Sequence, residues 1–343
     1  MTPDTRHSAL DILLARYIPY IESEMRDCLP VPDPALAGYY GMLHYHLGWV
    51  DEHFAPAPAL RNSGKRIRPM LCVLACQAAR GDAMQSIPAA ASIELLHNFS
   101  LIHDDIEDDS PKRRGRPSVW VLWGIPQAIN SGDGLFAIAH LAIGRLRDRG
   151  VLYERILAVR DIFDRTCLAL THGQYLDISF ELRQSVSVDE YMTMVSGKTA
   201  ALVGASAAIG ATLASSPATA HYETFGRELG LAFQIQDDIL GIWGDEVLTG
   251  KSAESDIATK KKSLPVVYAL ERSEKLRGLY AAPEVDVPAA IAELDAVGAR
   301  IFAEQAARQH HECAVEALRA GGASGDAGQA LFELVENLVG RAA

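Results

Sequence analysis

The stretch that decides the fold is Glu94-Leu-Leu-His-Asn-Phe-Ser-Leu-Ile-His-Asp-Asp-Ile-Glu-Asp-Asp109, an apolar helix that ends in acids. Asp104 and Asp108 are spaced i, i+4 and therefore share one helix face. Two carboxylates one turn apart repel each other and weaken an isolated helix. A divalent cation removes that repulsion, and Mg²⁺ commonly uses one or two carboxylates with phosphate oxygens and water. A solvated acidic helix end explains this stretch equally well, so a second signal is needed.

A second acidic pair lies within another apolar stretch, Phe233-Gln-Ile-Gln-Asp-Asp-Ile-Leu-Gly-Ile-Trp-Gly-Asp245. Aspartate is a poor residue for the middle of a helix, and buried carboxylates need partners. Asp237 and Asp238 lie between Ile235 and Ile239, so solvated surface charge explains them poorly. Two acidic pairs on apolar helices predict one cavity lined from both sides, in which several Mg²⁺ ions surround a diphosphate.

Basic residues cluster close to both acidic stretches. Guanidinium groups bind phosphate oxygens through two parallel hydrogen bonds, and a helix N-terminus adds backbone donors. Each residue alone is explained by solvated charge, but together they predict an anionic substrate held partly by metal and partly by cations. The clusters are Lys65, Arg66 and Arg68; Lys112, Arg113, Arg114 and Arg116; and Lys198, Lys251 and Lys260 to Lys262.

The composition is that of a globular protein and argues against nucleic-acid binding. The 343 residues are 49% hydrophobic and 22% charged, with a formal net charge of −12. Net negative charge disfavours non-specific binding to nucleic acids and anionic membranes. Met1 to Asp11 lacks the pattern of a signal peptide. The weakly polar run from Thr199 to Ala214 is short for a membrane span, so we expect a buried helix there and no integral membrane segment.

The cysteines indicate a reducing compartment. They are odd in number and sparse, and no C-x-x-C pair occurs among them, so we expect free thiols in a cytoplasmic protein. The five are Cys28, Cys72, Cys76, Cys167 and Cys313.

Hydrophobic periodicity predicts an all-α fold in one domain that spans residues 1–343. Strand alternation is nearly absent, and proline and glycine separate the helical segments. A surface loop is expected at residues 276–288. The predicted helices cover residues 8–28, 64–80, 85–109, 125–146, 151–180, 187–213, 217–241, 264–275, 287–319 and 325–340.

These motifs together resemble the trans-isoprenyl diphosphate synthase, or polyprenyl synthetase, family across about residues 60–270. So many short motifs in the family's order and spacing make the resemblance specific. The matching pieces are Gly-Lys-Arg-Ile-Arg-Pro at 64–69, His97, Asp-Asp-Ile-Glu-Asp at 104–108, Arg-Arg-Gly at 113–115, Gly-Gln-Tyr-Leu-Asp at 173–177, Gly-Lys-Thr at 197–199, Phe-Gln-Ile-Gln-Asp-Asp at 233–238, Gly-Asp at 244–245, Thr-Gly-Lys at 249–251 and Asp-Ile with its lysines from 256.

The resemblance implies a role for each matching residue. Direct Mg²⁺ ligands would be Asp104, Asp108 and Asp237, supported by Asp105 and by Asp238, which orients or binds through water. The allylic diphosphate would be gripped by Arg113, Lys198, Lys251 and Lys261. The diphosphate of isopentenyl diphosphate would be held by Lys65, Arg68, His97 and Arg114. Inner-cavity residues that orient Lys198 and stabilise developing positive charge would be Gln174, Asp177, Thr199 and Gln234.

The resemblance also implies the fold and the reaction. The fold would be a large helical bundle around a deep central cavity, of the class I isoprenoid synthase type. Metal and cations would stabilise the leaving diphosphate, so that an allylic diphosphate (dimethylallyl, geranyl or farnesyl) ionises. The double bond of isopentenyl diphosphate would attack, and a proton would leave to the diphosphate. Three Mg²⁺ ions with substrate bound, and a homodimer, are expected of the family.

Two features bear on metal binding and product length. Gly241 stands where the family commonly has a third aspartate, and Asp245, one turn further, is a candidate substitute. Ser100 lies one turn before Asp104, whereas Phe99 lies to one side and could form a pocket floor. This arrangement resembles short-chain synthases that make the twenty-carbon geranylgeranyl product; farnesyl and longer products stay open.

Two other functions compete with chain elongation. A class I terpene cyclase shares the metal-triggered ionisation but needs no second diphosphate site, which Lys65, Arg68, His97 and Arg114 argue for. A non-catalytic regulatory subunit of a synthase would be expected to lose metal ligands, whereas both leading aspartate pairs are present.

Overall fold

The computed structural model describes residues 8–57, 66–181, 183–244 and 255–339. Within these ranges the fold is all-α, as predicted. Two strands of two residues each, β1 (Lys112–Arg113) and β2 (Arg116–Pro117), form one antiparallel hairpin. The α-helices are α1 (Ala9–Cys28), α2 (Ala37–His46), α3 (Ile67–Ala78), α4 (Ile87–Glu107), α5 (Val119–Trp123), α6 (Ile125–Gly144), α7 (Tyr153–Glu181), α8 (Val188–Val195), α9 (Ala201–Leu213), α10 (Thr219–Trp243), α11 (Ser255–Ala258), α12 (Leu264–Arg272), α13 (Glu274–Ala281), α14 (Val287–Ala296), α15 (Ala299–Ala320) and α16 (Gly325–Val339).

Local backbone signals explain where the predicted boundaries were wrong. The loop expected at 276–288 begins as helix α13, because Ser273 caps that helix and its side chain accepts a hydrogen bond from the Leu276 amide at 3.0 Å. The single helix expected at 287–319 is two helices, since Gly298 adopts a left-handed φ of 74° between them. Helices α2, α5 and α11 were missed.

The helix expected at 187–213 is interrupted by a π-helical turn at Ser196–Ala200. Gly173 and Gly197 pack against each other there: a Cβ added at Gly173 would lie 2.1 Å from the Lys198 amide nitrogen. Only glycine permits that approach of two backbones. π-turns inside helices often occur at functional sites, and this one carries Lys198 and Thr199.

Contacts divide the chain into two compact units, each drawn from three sequence stretches. The first comprises the described residues of Met1–Phe163, Ser206–Thr219 and Ser324–Ala330. The second comprises those of Asp164–Ala205, Ala220–Ala323 and Leu331–Ala343.

In the first unit, α4 lies closely against α6 and is thereby fixed in place. The Ser92 hydroxyl donates a hydrogen bond to the Ala139 carbonyl at 2.7 Å. A Cβ on Gly132 would lie 2.2 Å from His103 Nε2, so the imidazole occupies the space that the missing side chain leaves at that crossing. The N-terminal half of α4 is buried, whereas its C-terminal end, which carries the acids, is more exposed.

In the second unit, small residues let α9 approach α10. A Cβ on Gly226 would lie 2.5 Å from the Val203 carbonyl oxygen, and one on Gly230 would lie 2.8 Å from the Ala200 Cα. The prediction of a closely packed helix in this Ala- and Gly-rich run is therefore confirmed. In the described part of the chain, the segment Val188–Leu213 is long and apolar enough to cross a membrane, but 72% of its most apolar window is buried inside the protein.

Candidate active site

The acidic end of α4 presents its aspartates in two different environments. Asp105 is buried and receives Arg113, whose Nη2 and Nε lie 2.6 and 2.8 Å from Asp105 Oδ1. Burial raises the pKa of Asp105, an effect that Arg113 opposes. Asp104 is half-buried and Asp108, just past the helix end, is exposed. Asp105 therefore anchors Arg113, and Asp104 and Asp108 are the more accessible pair.

A tight hairpin places the two adjacent arginines that follow α4. Arg113 pairs with Arg116 across the strands, and Arg114 and Gly115 form the turn with φ values of 53° and 76°. Two successive positive φ values are typical of a two-residue hairpin turn whose twist matches its strands. Arg116 fastens the hairpin by donating to the carbonyls of Tyr45 and Val50 at 3.1 and 2.8 Å.

The first unit brings Arg68, His97 and Arg114 into one cationic cluster. Arg68 Nη1 lies 3.4 Å from His97 Nε2. Burial lowers the pKa of His97 well below its ordinary value, and Arg68 and Arg114 lower it further, so the imidazole is neutral at pH 7. Burial also lowers the pKa of Arg68 and of Arg114. A neutral imidazole beside half-buried guanidinium groups leaves their N–H donors and positive charge available to an anion.

His46, at the end of α2, belongs to the same surroundings, and sequence reasoning missed it. Its Nε2 is buried without a hydrogen-bond partner. Burial, followed by Arg114, Arg113 and Arg116, lowers the pKa of His46 to about 3. Because α2 was not predicted, the sequence offered no signal that His46 would reach this cluster.

Arg66, grouped with Arg68 in the sequence, has a structural role instead. Its guanidinium is buried between two buried carboxylates: Nη2 lies 2.6 Å from Glu22 Oε1, and Nη1 contacts Glu94 Oε1. Removing Arg66 would leave two buried carboxylates uncompensated. Arg66 therefore joins α1 to α4 and is not available to a substrate.

In the second unit, Asp238 is buried and Asp237 is exposed. Asp238 accepts hydrogen bonds from the Tyr191 hydroxyl, from Gln234 Nε2 at 3.1 Å and from the Leu264 amide at 2.9 Å. Burial raises the pKa of Asp238, although these donors and Lys261 oppose the shift. Asp238 is thus bonded inside the protein, whereas Asp237 faces outward.

Gln234 links Asp238 to the π-turn. Because its Nε2 donates to Asp238, its Oε1 is free to accept from the Thr199 hydroxyl at 3.0 Å. Each side chain in this line thereby fixes the orientation of the next. Tyr191 is the member that sequence reasoning missed, since no motif marks it.

Lys198 and Lys261, the described lysines expected to grip the allylic diphosphate, are each paired with a carboxylate. Lys198 contacts Asp177, which lies one turn beyond Gly173 and Gln174 on α7. Lys261 Nζ lies 3.4 Å from Asp256 Oδ2 and 3.9 Å from Asp238 Oδ1. Although partial burial opposes the charge, Asp238 and Asp256 raise the pKa of Lys261. Lys65, Lys251 and Asp245 lie outside the described residues.

The donors fit a magnesium ion that arrives with a phosphate. Among the described residues, no group of three or more His, Cys, Asp or Glu side chains is arranged to hold a metal alone. Zinc and calcium sites need such complete sets, whereas Mg²⁺ uses one or two carboxylates with substrate phosphates and water. The pair Asp104 and Asp108, and the exposed Asp237, match that incomplete donor set.

Comparison with known proteins decides the family. The family model described as polyprenyl synthetase matches residues 55–294. The chain belongs to the polyprenyl synthetase family. Enzymes of this family are trans-prenyltransferases and generally depend on Mg²⁺.

Relatives and solved structures agree with this assignment. A geranylgeranyl diphosphate synthase of Mycobacterium tuberculosis is 40% identical over 87% of both chains. A (2E,6E)-farnesyl diphosphate synthase of Mycobacterium bovis is 42% identical over 78% of this chain and 77% of its own length. The crystal structure of a geranylgeranyl pyrophosphate synthetase from Pyrococcus horikoshii superimposes with a TM-score of 0.85, at 33% identity, covering 96% of this chain and 98% of that one. This polyprenyl synthetase is therefore an enzyme of the prenyltransferase class.

Proposed function

We propose that this polyprenyl synthetase condenses isopentenyl diphosphate with an allylic diphosphate and releases geranylgeranyl diphosphate. The observation that carries the proposal is the cluster of Arg68, a neutral His97 and Arg114 in the first unit. It is a cationic site with no carboxylate among its members, and it fits a diphosphate bound without metal. A cyclase would have no use for it, because a cyclase binds one diphosphate only.

Isopentenyl diphosphate would bind to this cationic cluster. Arg68 and Arg114 supply charge-assisted hydrogen bonds, which are about twice as strong as neutral ones. His97 is neutral, so it donates a single N–H at a fixed angle and adds no further charge to the cluster. Lys65 is proposed as the fourth member on the strength of its motif. The site would hold the nucleophilic double bond close to the reacting carbon.

The allylic diphosphate would bind to the carboxylate and lysine groups. Lys198, Lys261 and Arg113 each have a carboxylate partner that fixes the direction of the cation. Lys251 is proposed as a further cation. The Thr199 hydroxyl donates to Gln234, so its lone pairs are free to stabilise positive charge that develops on the substrate. Gln174 follows Gly173, which packs against the π-helical turn, and Gln174 is proposed to act with Thr199.

Mg²⁺, proposed as three ions held by Asp104, Asp108 and Asp237, supplies charge neutralisation to the leaving diphosphate. Asp105 and Asp238 would support those ligands from within. No protein nucleophile takes part in this proposal: the double bond of isopentenyl diphosphate attacks the allylic carbon, and the proton lost afterwards passes to the released diphosphate.

The proposed product length rests on an aromatic row beneath the first acidic motif. The ring centroids of Phe99 and Phe136 are 5.0 Å apart, and His140 lies 4.5 Å beyond Phe136. Phe163 continues the row at 5.0 Å from His140. Phe99 is therefore braced by rings of α6 and cannot swing aside without disturbing them, which suits a pocket floor. Ser100, next to it, leaves space.

A homodimer is proposed from apolar side chains that the first unit leaves exposed. Large exposed apolar side chains away from a site often mark an interface. On α6, Ile125 is 47% exposed, Ile129 44% and Leu141 71%, and Tyr153 at the start of α7 is 70% exposed.

All five cysteines are free thiols, which supports the proposed cytoplasmic location. We also propose that the two units act as one catalytic domain.

A product assay tests the function. The purified protein would be incubated with Mg²⁺, labelled isopentenyl diphosphate and dimethylallyl, geranyl or farnesyl diphosphate in turn, and the dephosphorylated products would be sized by chromatography. Label in a twenty-carbon alcohol supports the proposal. A fifteen-carbon or longer end product keeps the reaction and overturns the assigned length. A hydrocarbon formed without isopentenyl diphosphate would indicate a cyclase, and silence with every primer a non-catalytic partner.

Phe99→Ala tests the floor directly. Removing the ring opens space below Ser100, so we expect longer products, with total incorporation within about tenfold of wild type because no diphosphate ligand changes. Phe54→Ala, a partly exposed ring elsewhere in the first unit, serves as the matched control. An unchanged product distribution for Phe99→Ala would remove Phe99 from the floor.

A further inference from the structure

Helix α2 ends directly against the hairpin that carries Arg113 and Arg114. The Tyr45 hydroxyl donates a hydrogen bond to the Pro117 carbonyl at 2.9 Å, and the Arg116 guanidinium lies 3.9 Å from the centre of the Tyr45 ring. Tyr45 is 3% exposed, so its contacts are largely shielded from water. Together with the two hydrogen bonds from Arg116 described above, these contacts hold the end of α2 and the hairpin in a fixed relation.

A small cavity lies between the end of α2 and the hairpin. Its volume is about 20 Å³, and its lining includes His46, Arg113, Arg114 and Arg116. A space of that size is just large enough for one water or one phosphate oxygen. No Asp or Glu is among the described residues that line it. The cavity therefore suits an oxygen atom that brings negative charge, and it offers a cation no ligand.

The imidazole of His46 has an unused polar atom in these surroundings. Its Nε2 is buried and has no hydrogen-bond partner among the described residues. Buried polar atoms almost always have partners, and an unpaired one costs stability until a water, an ion or a ligand pairs with it. Because His46 is neutral at pH 7, the ring carries one N–H and can present it at Nε2.

Electrostatic effects place His46 at the edge of the cationic cluster. After burial, Arg114 has the largest effect on the pKa of His46. His46 in turn is among the groups that lower the pKa of His97, together with Arg68 and Arg114. Such effects weaken with distance, so the two histidines share the surroundings of Arg114.

We infer that His46 is a further substrate-binding residue, whose Nε2–H donates to one oxygen of the diphosphate of isopentenyl diphosphate in the cavity beside Arg114. The inference deepens the proposed function and rests on it. Glu94, the acid that acts most on Arg114, is already paired with Arg66, so a phosphate oxygen brings the negative charge that Arg114 lacks. A neutral imidazole adds a directed hydrogen bond there without adding repulsion among the cations.

Removal of the donor tests the contact. His46→Leu keeps the bulk but has no N–H, and it should raise KM for isopentenyl diphosphate by about 10-fold to 100-fold, the range for a hydrogen bond to a charged group. KM for the allylic diphosphate and kcat should change little. His46→Gln places an amide N–H near the position of Nε2 and should restore most of the loss. His53→Leu, at an exposed histidine of the same segment, is the matched control.

Tyr45→Phe separates binding from support of the hairpin. It removes the 2.9 Å hydrogen bond to Pro117. Since the hairpin carries arginines proposed for both substrates, its loosening should raise both KM values, whereas loss of the His46 contact should raise one. Equal changes of both KM values in His46→Leu, or a His46→Gln variant as impaired as His46→Leu, would reduce His46 to a support of the fold and overturn the inference.

A binding measurement makes the test independent of turnover. Calorimetry with inorganic diphosphate in the absence of metal reports on the cationic cluster, and loss of the signal in Arg68→Met identifies the site. We expect His46→Leu to bind about tenfold more weakly than wild type and His46→Gln to bind nearly as well. Undiminished binding in His46→Leu, or no metal-free binding by the wild-type protein, would overturn the inference.

Two further checks keep the outcomes distinct. Circular dichroism melting shows whether each variant is folded; if His46→Leu is not, His46→Phe, which keeps a flat ring without an N–H, takes its place. If the wild-type protein elongates no primer but binds inorganic diphosphate through His46, the proposed function fails and the phosphate contact stands.

Discussion

The cationic cluster of the first unit and the lysines of the second unit prepare positive charge in opposite ways. Around His97, burial lowers the pKa of Arg68 and Arg114, and the two histidines are held neutral. Around Asp238, carboxylates raise the pKa of Lys261 and pair with Lys198. The acid that acts on both arginines, Glu94, is already paired with Arg66, whereas each of these lysines has a carboxylate partner of its own.

The difference indicates how two diphosphates are distinguished on one chain. A cluster of half-buried cations without carboxylate partners of their own is stabilised by an incoming anion and needs no metal. A balanced group of acids and lysines gains little from a bare anion, but its outward acids attract Mg²⁺, and the metal then brings the diphosphate. The allylic diphosphate, which must ionise, would therefore bind where metal helps its diphosphate group to leave. Isopentenyl diphosphate would bind at the cationic cluster, where no metal is needed.

The largest expected effect is on the acids that would bind metal. Asp104→Ala should lower kcat by at least about 1,000-fold, because each such ligand stabilises charge that develops only during ionisation. Asp237→Ala should do the same from the second unit. Turnover would be measured at saturating Mg²⁺, with folding checked by circular dichroism. Asp109→Asn, an exposed acid five residues from Asp104, is the control, and near-normal turnover of Asp104→Ala would sink the metal assignment.

The next effect separates the two cation groups. Arg68→Met should raise KM for isopentenyl diphosphate by about 100-fold and change KM for the allylic diphosphate little, since a hydrogen bond to a charged group contributes about 1.5–3 kcal/mol. Lys198→Met should show the reverse pattern. Steady-state kinetics with each substrate varied in turn would measure both. Equal effects on both substrates in either variant would contradict the division of the two sites.

The smallest effect concerns the two half-buried histidines, His46 and His97, of the first group. The pKa of His46 is about 3 in the folded protein and about 6.5 when unfolded. Between those values the unfolded chain binds one more proton, so the free energy of unfolding falls as pH falls, by up to roughly 1.4 kcal/mol per pH unit. Above pH 6.5 this contribution to stability is fully present.

His46→Gln should remove that slope. Above pH 7 we expect the difference between the melting temperatures of variant and wild type to stay nearly constant. Between pH 6.5 and 4.5 we expect the variant to lose less stability than the wild type. Melting followed by circular dichroism across this range would measure it, with exposed His53→Gln as the control. Parallel pH profiles for wild type and His46→Gln would show that the imidazole is not held neutral by its surroundings.

Much of the candidate site could be read from local sequence, and the reasons for success and failure are physical. The acidic pairs were visible because carboxylates within apolar helices conflict with ordinary burial preferences. The hairpin was missed because its turn is Arg114-Gly115, and arginine rarely adopts a left-handed φ. The helix at Glu274–Ala281 was missed although Ser273 is a good cap, because residues 276–288 resemble a surface loop in sequence.

The sequence by itself determined the all-helical class, the family and the identity of the acids and cations, because helical periodicity and motif spacing are local properties of the chain. Tertiary structure alone decided which of these residues are used and how. It buried Arg66 between Glu22 and Glu94 and brought His46 and Tyr191 to groups that no motif contains. Those outcomes depend on which side chains meet across helices distant in sequence, where burial and neighbouring charge fix each group's ionisation and reach.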